Sequence, residues 1–324
     1  MVEKRQEIYD EYFKFAYKRQ EIFFNKLQDK KRPYSDDEIL DEYKFCNAYR
    51  ASDRVSQYLI KNVIYSKENE TEEDIIFRVI LFKIFNKIET WQYLTQKLGK
   101  VSAKNFNFDV YDKLLEEYRK SQHAIYNSAY ISCANKAYGY DLKHQNHLKL
   151  IQQMIFKDNI TDKLLQAKKY SDIFYILKSY PLIGDFMAYQ LMTDLNYTSI
   201  INFDEDDFTI AGPGAIRGIN KCFKNKDKES YEHFIMYVVE HQDQEFKRLG
   251  LNFKNLFGRK LHAIDCQNIF CELDKYCRVA HPELKSNRIK IKAKYAQNSK
   301  KIEYFYPPKW GINKNIEKYI KTIE

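Results

Sequence analysis

Glycine is unevenly distributed along this chain, and its distribution constrains the fold more than any other feature of the sequence. Before residue 180 only Gly99 and Gly139 occur. The stretch from Tyr180 to Phe223 then contains four of the nine glycines, at positions 184, 212, 214 and 218. Glycine is unfavourable inside helices and useful in turns. The sequence therefore predicts a long helical region that leads into one turn-rich central stretch.

Apolar residues recur at helical spacing along most of the chain, which predicts an all-α fold. Nine glycines and six prolines in 324 residues also argue against an all-β or loop-rich fold. Pro33 should end the first helix and Asp36 should open the second, which we expect to run to about Cys46. The helices are expected at 1–34, 36–46, 50–58, 72–98, 109–120, 123–138, 147–157, 161–179 and 230–248, with one more from about 261.

The charge balance favours a polyanionic partner. Lysine and arginine total 54 against 45 acidic residues, a net charge of +9. Such a balance is typical of nucleic-acid binding without proving it. We expect no membrane span, because no apolar run approaches about 18 residues. The chain shows no signal peptide, and its six cysteines suit a reducing compartment. The expected location is intracellular: the nucleus in a eukaryote, otherwise the cytoplasm.

Three cysteines lie close together in the sequence with two histidines, and these residue types can bind metals. They are Cys266, Cys271 and Cys277, with His262 and His281. Their spacing suits the faces of a helix better than a compact metal loop, and buried cysteine often acts as a small apolar residue. We therefore expect no metal and no other cofactor.

The central stretch begins with a predicted hairpin, Pro181-Leu182-Ile183-Gly184. Proline fixes φ, and Gly184 is expected to take a positive φ. A helix should follow from Asp185, and the free N–H groups of its first turn can hold a phosphate. An ordinary corner between two helices is the alternative interpretation.

An acidic run, Asp204 to Asp207, precedes the glycine-rich segment 212–218. Backbone N–H groups of such a segment can face an anion. The alternative is a solvated loop that caps a helix, since aspartate is common at that position.

Two further segments carry polar side chains where an ordinary helix would be apolar. Arg50, Asp53, Arg54 and Gln57 are spaced to share one helix face. In one interpretation this face is the polar wall of a binding site, with the Asp53 carboxylate beside an arginine. The alternative is a solvated helix with an ion pair between residues three apart.

The second polar segment places His262, Asp265, Asn268 and Glu272 roughly on one helix face. This pattern suggests His262 as a general base and Asp265 as the group that orients it. A buried polar network that ties helices together is an equal alternative.

These segments resemble the alpha-glutamyl/putrescinyl thymine pyrophosphorylase family, within the helix-hairpin-helix DNA glycosylase-like superfamily. The family's helical domain also occurs with 5-hydroxymethyldeoxyuridine DNA kinases. The resemblance rests on residues 49–59, the central stretch and residues 265–272, and it spans about 45–285. Leu182 departs from the pattern, because the glycosylase hairpin usually has glycine there. Phe186 stands where lyase-type glycosylases carry lysine, so a Schiff-base lyase is not expected.

The resemblance implies a transferase that acts on DNA bases. It would replace the pyrophosphate of a 5-(pyrophosphoryloxymethyl)uracil by an amine, on double-stranded DNA with one base flipped out. An amine or amino acid would be the co-substrate. The motif G-x-x-x-x-G-K-[ST] is absent, so a separate DNA-base kinase would phosphorylate the base. The alternatives are a glycosylase that excises a modified pyrimidine and a non-catalytic DNA-binding module.

The resemblance also implies roles for particular residues, without a metal. The implied catalytic residues are Asp207, Asp204, His262 and Asp265. The implied substrate- or phosphate-binding residues are Arg50, Asp53, Arg54, Gln57, Gly212, Gly214, Arg217, Gln267 and Asn268. Gly184 would contact the DNA backbone. Tyr126 or Tyr130 would stack on the flipped base, against the more ordinary alternative of a packed core tyrosine.

The expected domain organisation is an N-terminal helical extension (1–40), a glycosylase-like helical domain (41–284) and a basic C-terminal extension (285–324). Residues 285–301 contain seven basic residues and no acid. Such a run is either a solvated tail or a segment that follows the DNA backbone. The aromatic segment 304–311 is expected to pack back on the domain or to dock a partner.

Overall fold

The computed structural model describes residues 2–66, 71–128, 133–224, 229–284, 293–296 and 302–322. These residues form α-helices, short 3₁₀ and π turns and isolated bridges, and no β-strand occurs among them. The prediction of an all-α fold is confirmed. No helix in these ranges is long and apolar enough to cross a bilayer.

The helices differ in length from one turn to six. In chain order they are α1 (Gln6–Leu27), α2 (Glu38–Glu42), α3 (Arg54–Tyr58), α4 (Glu72–Phe85), α5 (Ile88–Leu98), α6 (Phe108–Lys120), α7 (Lys143–Gln152), α8 (Ile160–Leu165), α9 (Tyr170–Lys178), α10 (Asp185–Leu195), α11 (Pro213–Cys222), α12 (Tyr231–Arg248), α13 (Ala263–Ala280) and α14 (Asn313–Lys321). The turns are 3₁₀ at Arg50–Ser52 and Pro308–Trp310, and π at Leu59–Ile64 and Gln153–Lys157.

The chain divides into two compact units. Unit 1 contains residues 1–53 and 208–324, and unit 2 contains residues 54–207. The expected division at residues 40 and 284 uses different boundaries and stays a prediction.

Helix α1 forms the aromatic centre of unit 1. Tyr12 and Phe13 are fully buried. The Tyr12 ring lies 4.4 Å from that of Phe270 in α13, and the Phe13 ring lies 5.1 Å from that of Phe246 in α12. The helix ends at Leu27 rather than at the predicted Pro33. Its end is followed by a left-handed residue at position 29, with φ of 51°, which no α-helix accommodates.

Helices α11 and α13 approach each other more closely than ordinary side chains permit. A Cβ atom added to Gly218 would lie 2.0 Å from the carbonyl oxygen of Phe270, and one added to Gly214 would lie 2.2 Å from Cys271 Sγ. Two glycines four residues apart let helix backbones come into contact. These glycines therefore serve the packing of unit 1.

The aromatic segment before α14 packs back on unit 1. The Tyr304 ring lies 5.1 Å from that of Phe23. The buried Tyr306 hydroxyl is hydrogen-bonded to Ser52 at 2.7 Å. One of the two sequence-based alternatives for this segment is thus observed.

Helix α4 is the centre of unit 2, and it is apolar almost all around, as expected of a helix surrounded by others. Its Lys83 forms a buried ion pair with Asp194 of α10, at 2.9 Å. The single helix predicted at 72–98 is wrong in one respect. Asn86 adopts a left-handed conformation with φ of 48° and separates α4 from α5.

The helix predicted at 123–138 is also wrong for the described residues 123–128 and 133–138, which form turns and irregular backbone. Buried hydrogen bonds hold this segment in a non-helical path. The carbonyl of Ile125 accepts from Thr90, and the amide of Asn127 donates to the carbonyl of Phe85.

Candidate functional site

One carboxylate in unit 1 joins the two polar segments found in the sequence. Asp265 lies in the first turn of α13 and is buried. Its Oδ1 accepts the backbone N–H of Arg50 at 2.7 Å, and its Oδ2 accepts the backbone N–H of His262 at 3.2 Å. The carboxylate therefore fixes the start of the 3₁₀ turn at residue 50 against the start of α13.

The segment that precedes Arg50 is held in the same manner. Glu272, two turns further along α13, accepts the N–H of Cys46 at 3.0 Å. Asp53 accepts the N–H of Asn47 at 2.9 Å. Carboxylates that accept backbone N–H groups form strong, short bonds. The path of residues 46–53 is therefore set by charged side chains as well as by apolar packing.

The predicted helix over residues 50–58 is wrong. Residues 50–52 form a 3₁₀ turn, and Asp53 has extended backbone with φ of −72° and ψ of 145°. Helix α3 then begins at Arg54. The side chains of residues 50, 53, 54 and 57 consequently do not share one helix face. The cause is Asp53, whose carboxylate bonds to Asn47 instead of supporting a continuous helix.

The role proposed for the His262–Asp265 pair is not tested by these contacts. Asp265 bonds to the backbone of His262, at the N-terminus of α13, in the manner of a helix cap. The alternative of a polar network that ties helices together is thus observed. A general-base role for His262 stays a prediction.

The start of α11 provides backbone donors. Gly212 has extended backbone, Pro213 occupies the first helical position, and no side chain caps this end. Cys271 occupies the space beside Gly214, as described above. Anion binding by Gly212 and Gly214 stays a prediction, supported by the positive end of the helix dipole.

Arg217, predicted to bind phosphate, is engaged within unit 1. Its Nε lies 2.9 Å from Asp274 Oδ2, and the same carboxylate contacts Lys221 at 3.1 Å and Arg278 at 2.5 Å. Asp274 is completely buried. Its burial raises its pKa, but the hydrogen bonds from Arg217 and Arg278 outweigh that effect, so the pKa lies below its ordinary value. This cluster ties α11 to α13.

Two amide side chains of α13 were predicted to contact substrate. Gln267 is buried, and its Oε1 has no hydrogen-bond partner among the described residues. A buried acceptor without a donor is uncommon and costs free energy. Asn268 is partly exposed one residue later. Substrate contacts by both residues stay predictions.

The acidic run of unit 2 has a fixed local geometry. Asn196, the residue after α10, accepts the N–H of Phe203 at 2.9 Å and donates to its carbonyl at 3.1 Å. Asp204 then accepts the N–H of Asp206 at 3.0 Å. Asp204 and Asp207 are exposed, whereas Glu205 is buried. No residue pattern distinguishes Glu205 from the three aspartates beside it.

A turn at residues 181–182 connects α9 to α10, and its unusual backbone conformation is carried by a different residue from the one expected. Leu182 has φ of 68°, and Gly184 has ordinary extended backbone with φ of −85°. The expectation of a positive φ at Gly184 is wrong. Gly184 and the first residues of α10 are exposed, and no side chain caps the helix. Contact of Gly184 with DNA stays a prediction.

Tyr126 is held by three neighbours in unit 2. Its hydroxyl bonds His147 Nδ1 at 2.8 Å, the Lys143 ammonium lies 4.2 Å from its ring centroid, and the Phe85 ring lies 5.3 Å away. Burial and the Lys143 charge lower the pKa of His147 to about 3. His147 is therefore neutral, and its Nδ1 shares one hydrogen bond with the Tyr126 hydroxyl. Base stacking by Tyr126 stays a prediction, and Tyr130 lies outside the described residues.

Arg54 and Gln57 belong to α3 of unit 2. Gln57 is buried and Arg54 is partly exposed. Their predicted contacts with phosphate and base stay predictions.

The clustered cysteines pack as small apolar residues. Cys266 and Cys277 are buried in α13, and the carbonyl of Cys266 accepts the Tyr12 hydroxyl at 3.1 Å. Within the described ranges, no three of these cysteines and His262 and His281 bring their ligand atoms together.

Sequence reasoning missed Asp274, Lys221 and Arg278, because charged residues at these positions look like a solvated helix face. A signal was present: Asp274 and Arg278 are four residues apart in a helix, as are Arg217 and Lys221. Such spacing places both members of each pair on one face.

Comparison with known proteins gives two matches to one family. The family model described as "5-hmdU DNA kinase, helical domain" matches residues 6–286. A curated relative named 5-hmdU DNA kinase, from Bacillus phage SP10, is 25% identical over 293 residues. That alignment covers 85% of this chain and 45% of the relative, so the chain spans less than half of the relative's length. No solved structure matches.

Proposed function

Since this chain belongs to the family of 5-hmdU DNA kinase helical domains, we propose that it acts in thymine hypermodification of DNA. The specific step is replacement of the pyrophosphate on a 5-(pyrophosphoryloxymethyl)uracil base by an amine. The DNA is double-stranded with the base flipped out, the co-substrate is an amine or amino acid, and a separate DNA-base kinase makes the pyrophosphorylated base.

The reaction is a substitution at the 5-methylene carbon. The carbon–oxygen bond to pyrophosphate breaks, and the leaving group takes the electron pair. The amine nitrogen then forms a bond to the same carbon and loses one proton to a base. Such a step needs cations or N–H groups at the leaving pyrophosphate and a proton acceptor near the amine.

Unit 1 contains cations and backbone N–H groups of the kind needed at the leaving pyrophosphate. The observation that carries the proposal is the bond from the Arg50 backbone to Asp265, which places a buried guanidinium-bearing residue beside the start of α13. Arg50, the N–H groups at Gly212 and Gly214, and Arg217 are the proposed pyrophosphate-binding groups. His262, oriented by Asp265, is the alternative to the aspartates of the acidic run as the single proton acceptor.

The other assignments follow the family resemblance. In unit 2, Asp204 or Asp207 accepts the amine proton or stabilises the cationic carbon, Arg54 binds phosphate and Gln57 reads the base. In unit 1, Asp53 orients an arginine, and Gln267 and Asn268 contact the base.

The direct test is mass spectrometry of nucleosides after DNA containing 5-(pyrophosphoryloxymethyl)uracil is incubated with the chain and a panel of amines. We expect a new 5-aminomethyl-type nucleoside and one pyrophosphate per turnover. The double variant Asp204→Asn/Asp207→Asn should lower kcat/KM by about 100-fold or more, the usual contribution of a positioned acid or base. The exposed Asp109→Asn, in α6, is the matched control. Unchanged turnover in the double variant would remove the two aspartates from the mechanism.

Arg50→Met tests the unit 1 assignment separately. The bond to Asp265 comes from the backbone and survives the substitution, and circular dichroism checks that the variant folds. We expect turnover to fall by about 100-fold, as when one donor to a developing anion is removed. Unchanged turnover together with native circular dichroism would exclude Arg50 from catalysis.

The hairpin favours base excision as a second candidate function. The exposed, uncapped start of α10 after a hairpin is suited to DNA backbone phosphate. A glycosylase would release free modified base and leave an abasic site, without pyrophosphate release that depends on an amine. The same incubation distinguishes the two activities by product. Salt-sensitive binding without product would indicate a non-catalytic DNA-binding module.

A further inference from the structure

A buried amide of α13 has no hydrogen-bond partner. Gln267 has 2% of its surface exposed. Among the described residues its Oε1 accepts no hydrogen bond and its Nε2 donates none. Such an amide costs free energy, because nothing replaces the water that it loses on folding. A ligand that brings a donor and an acceptor to Gln267 would compensate this cost.

Gln267 lies on the face of α13 that packs against α11. Cys271 follows Gln267 by one turn, and its Sγ is 2.2 Å from the place where a Cβ of Gly214 would stand. Asp274 follows by two turns and forms an ion pair with Lys221 of α11. Residues at i, i+4 and i+7 share one face of a helix. Gln267 therefore belongs to the side of α13 on which α11 lies.

The two helices run in the same direction. Gly214, in the first turn of α11, lies on Cys271 of α13. Lys221, two turns later in α11, contacts Asp274, which is one turn later in α13. Gln267 precedes Cys271 by about 6 Å along the helix axis, and helix side chains tilt towards the N-terminus. The Gln267 amide therefore points towards the space in front of the start of α11.

The start of α11 presents two N–H groups to that space. The N–H of Ile216 bonds to the carbonyl of Gly212 at 3.0 Å, and Pro213 has no N–H. The N–H groups of Gly214 and Ala215 have no acceptor among the described residues, and no side chain caps this end. Gly214 is partly exposed, so the place is open to solvent. An anionic group is favoured there by the positive end of the helix.

These two features require one ligand with two kinds of group. The Gln267 amide needs a donor and an acceptor side by side, as in the N3–H and O4 of a uracil ring. The N–H groups of α11 need an anion. In uracil the ring carbon that carries the 5-substituent is bonded to the carbon that carries O4. A uracil with a phosphorylated 5-hydroxymethyl group therefore presents N3–H, O4 and an anion in that order around the ring.

We propose that Gln267 recognises the imide edge of the flipped base. Its Oε1 accepts the N3–H, its Nε2 donates to O4, and the pyrophosphate lies at the N–H groups of Gly214 and Ala215. This role rests on the proposed function, because that function supplies the pyrophosphorylated uracil. The unpaired amide lowers the stability of the free chain, and the bound base removes this cost.

Urea denaturation tests the first half of this statement. Gln267→Met keeps the size of the side chain and removes an amide that has no partner, so the midpoint should stay or rise. Gln242→Met is the matched control, because the Gln242 amide is also buried in unit 1 but donates to the carbonyls of Val239 and Leu261, at 2.8 and 2.9 Å. The midpoint of the control should fall. A fall in Gln267→Met would show that the amide is satisfied within the fold, by buried water, and would overturn the proposal.

Fluorescence anisotropy with DNA tests the second half. The probes are a duplex with one 5-hydroxymethyluracil and the same duplex with an abasic site at that position. Gln267→Met should weaken binding of the first about tenfold, as for a paired hydrogen bond to a base, and leave binding of the second unchanged. Gln242→Met should change neither affinity. Equal losses on both duplexes, no loss on the first, or no binding by the unchanged chain would overturn the proposal.

A further probe identifies the edge of the base. A duplex with 3-methylthymine at the same position has no N3–H there, so Gln267→Met should bind it as tightly as the unchanged chain does. A tenfold loss that persists with 3-methylthymine would contradict a hydrogen bond at N3.

The result for Gln267 is distinguishable from the result for the transferase. A base-dependent loss of affinity in Gln267→Met, without amine transfer by the unchanged chain, would contradict the transferase and retain the recognition of the base. Amine transfer that continues unchanged in Gln267→Met would contradict the role of Gln267 alone.

Discussion

The start of α10 in unit 2 and the start of α11 in unit 1 look alike in sequence and differ in structure. Each helix follows a glycine with extended backbone, and neither has a side-chain cap. Gly184 before α10 is exposed, with no atom within 4 Å of the place where a Cβ would stand. The glycines of α11 are in contact with α13 instead. A glycine near a helix start therefore indicates either an open surface or a close helix contact.

The largest expected effect lies on the α11 side. Asp274→Asn leaves Arg217, Lys221 and Arg278 without their shared carboxylate, and we expect the free energy of unfolding to fall by about 3–5 kcal/mol. Urea denaturation measures it. The matched change at α10 is Asp185→Asn, which removes an exposed pair with Lys178 and should cost about 0–1 kcal/mol. Equal losses of unfolding free energy in Asp274→Asn and Asp185→Asn would show that the start of α11 is no more firmly anchored than the start of α10.

The same carboxylate predicts a pH dependence. Because the pKa of Asp274 is lowered in the folded state, its stabilisation is present above the unfolded value and is lost as the pH falls through the folded value. The stability difference between the unchanged chain and Asp274→Asn should therefore shrink below about pH 4. Unfolding experiments between pH 3 and pH 7 would show it, and a constant difference over that range would contradict it.

Gly218→Ala should have the next largest effect. The new methyl group would meet the backbone carbonyl of Phe270, which cannot rotate away, so the helices must separate. We expect a loss of about 3 kcal/mol in unfolding free energy, at the upper end of overpacking costs. Thermal and urea unfolding measure it. A neutral result would show that α11 and α13 are further apart than described.

Gly214→Ala should cost less, about 1 kcal/mol, because its obstacle is the Cys271 side chain. The double variant Gly214→Ala/Cys271→Ala removes the Sγ atom, the nearest obstacle, and leaves the Cβ of residue 271 at 3.1 Å, so its stability should be close to that of Cys271→Ala alone. A double-variant cycle by urea unfolding gives the coupling. Additive losses would mean that the two positions are not in contact.

Gly184→Ala should have the smallest effect, within about 0.5 kcal/mol. Its φ of −85° suits any residue, and its surroundings are open. Unfolding measurements should find it neutral, whereas DNA affinity reports whether the added methyl group meets a phosphate. A large loss of stability would contradict the open geometry of the hairpin.

Helical periodicity was enough to predict the all-α class and the position of α13, because a long segment with apolar residues at helical spacing fits no other secondary structure. It failed over residues 50–58, where the bond from Asp53 to Asn47 breaks the helix, since such a bond depends on the path of the chain. It also assigned the left-handed position to Gly184, although the turn places Leu182 there.

The candidate site was predicted in part. The sequence brought attention to Asp265, Arg50 and Glu272, and the structure joins the segments that contain them. The bonds themselves run from carboxylates to backbone N–H groups, which no residue pattern reveals. The buried Arg19 of α1, which holds the neighbouring segment, was missed for a related reason: it donates to the carbonyls of Cys46 and Phe45, and an arginine in a charged helix is ordinarily assigned to the surface.

The bond between Asp265 and the backbone N–H of Arg50 fixes the position of residue 50 without using its side chain. Any amino acid except proline presents the same N–H at position 50, so the side chain there can change while its attachment point stays in place. The side chain at position 50 can therefore change without moving the backbone bond that anchors it, whereas a replacement of Asp265 removes that anchor.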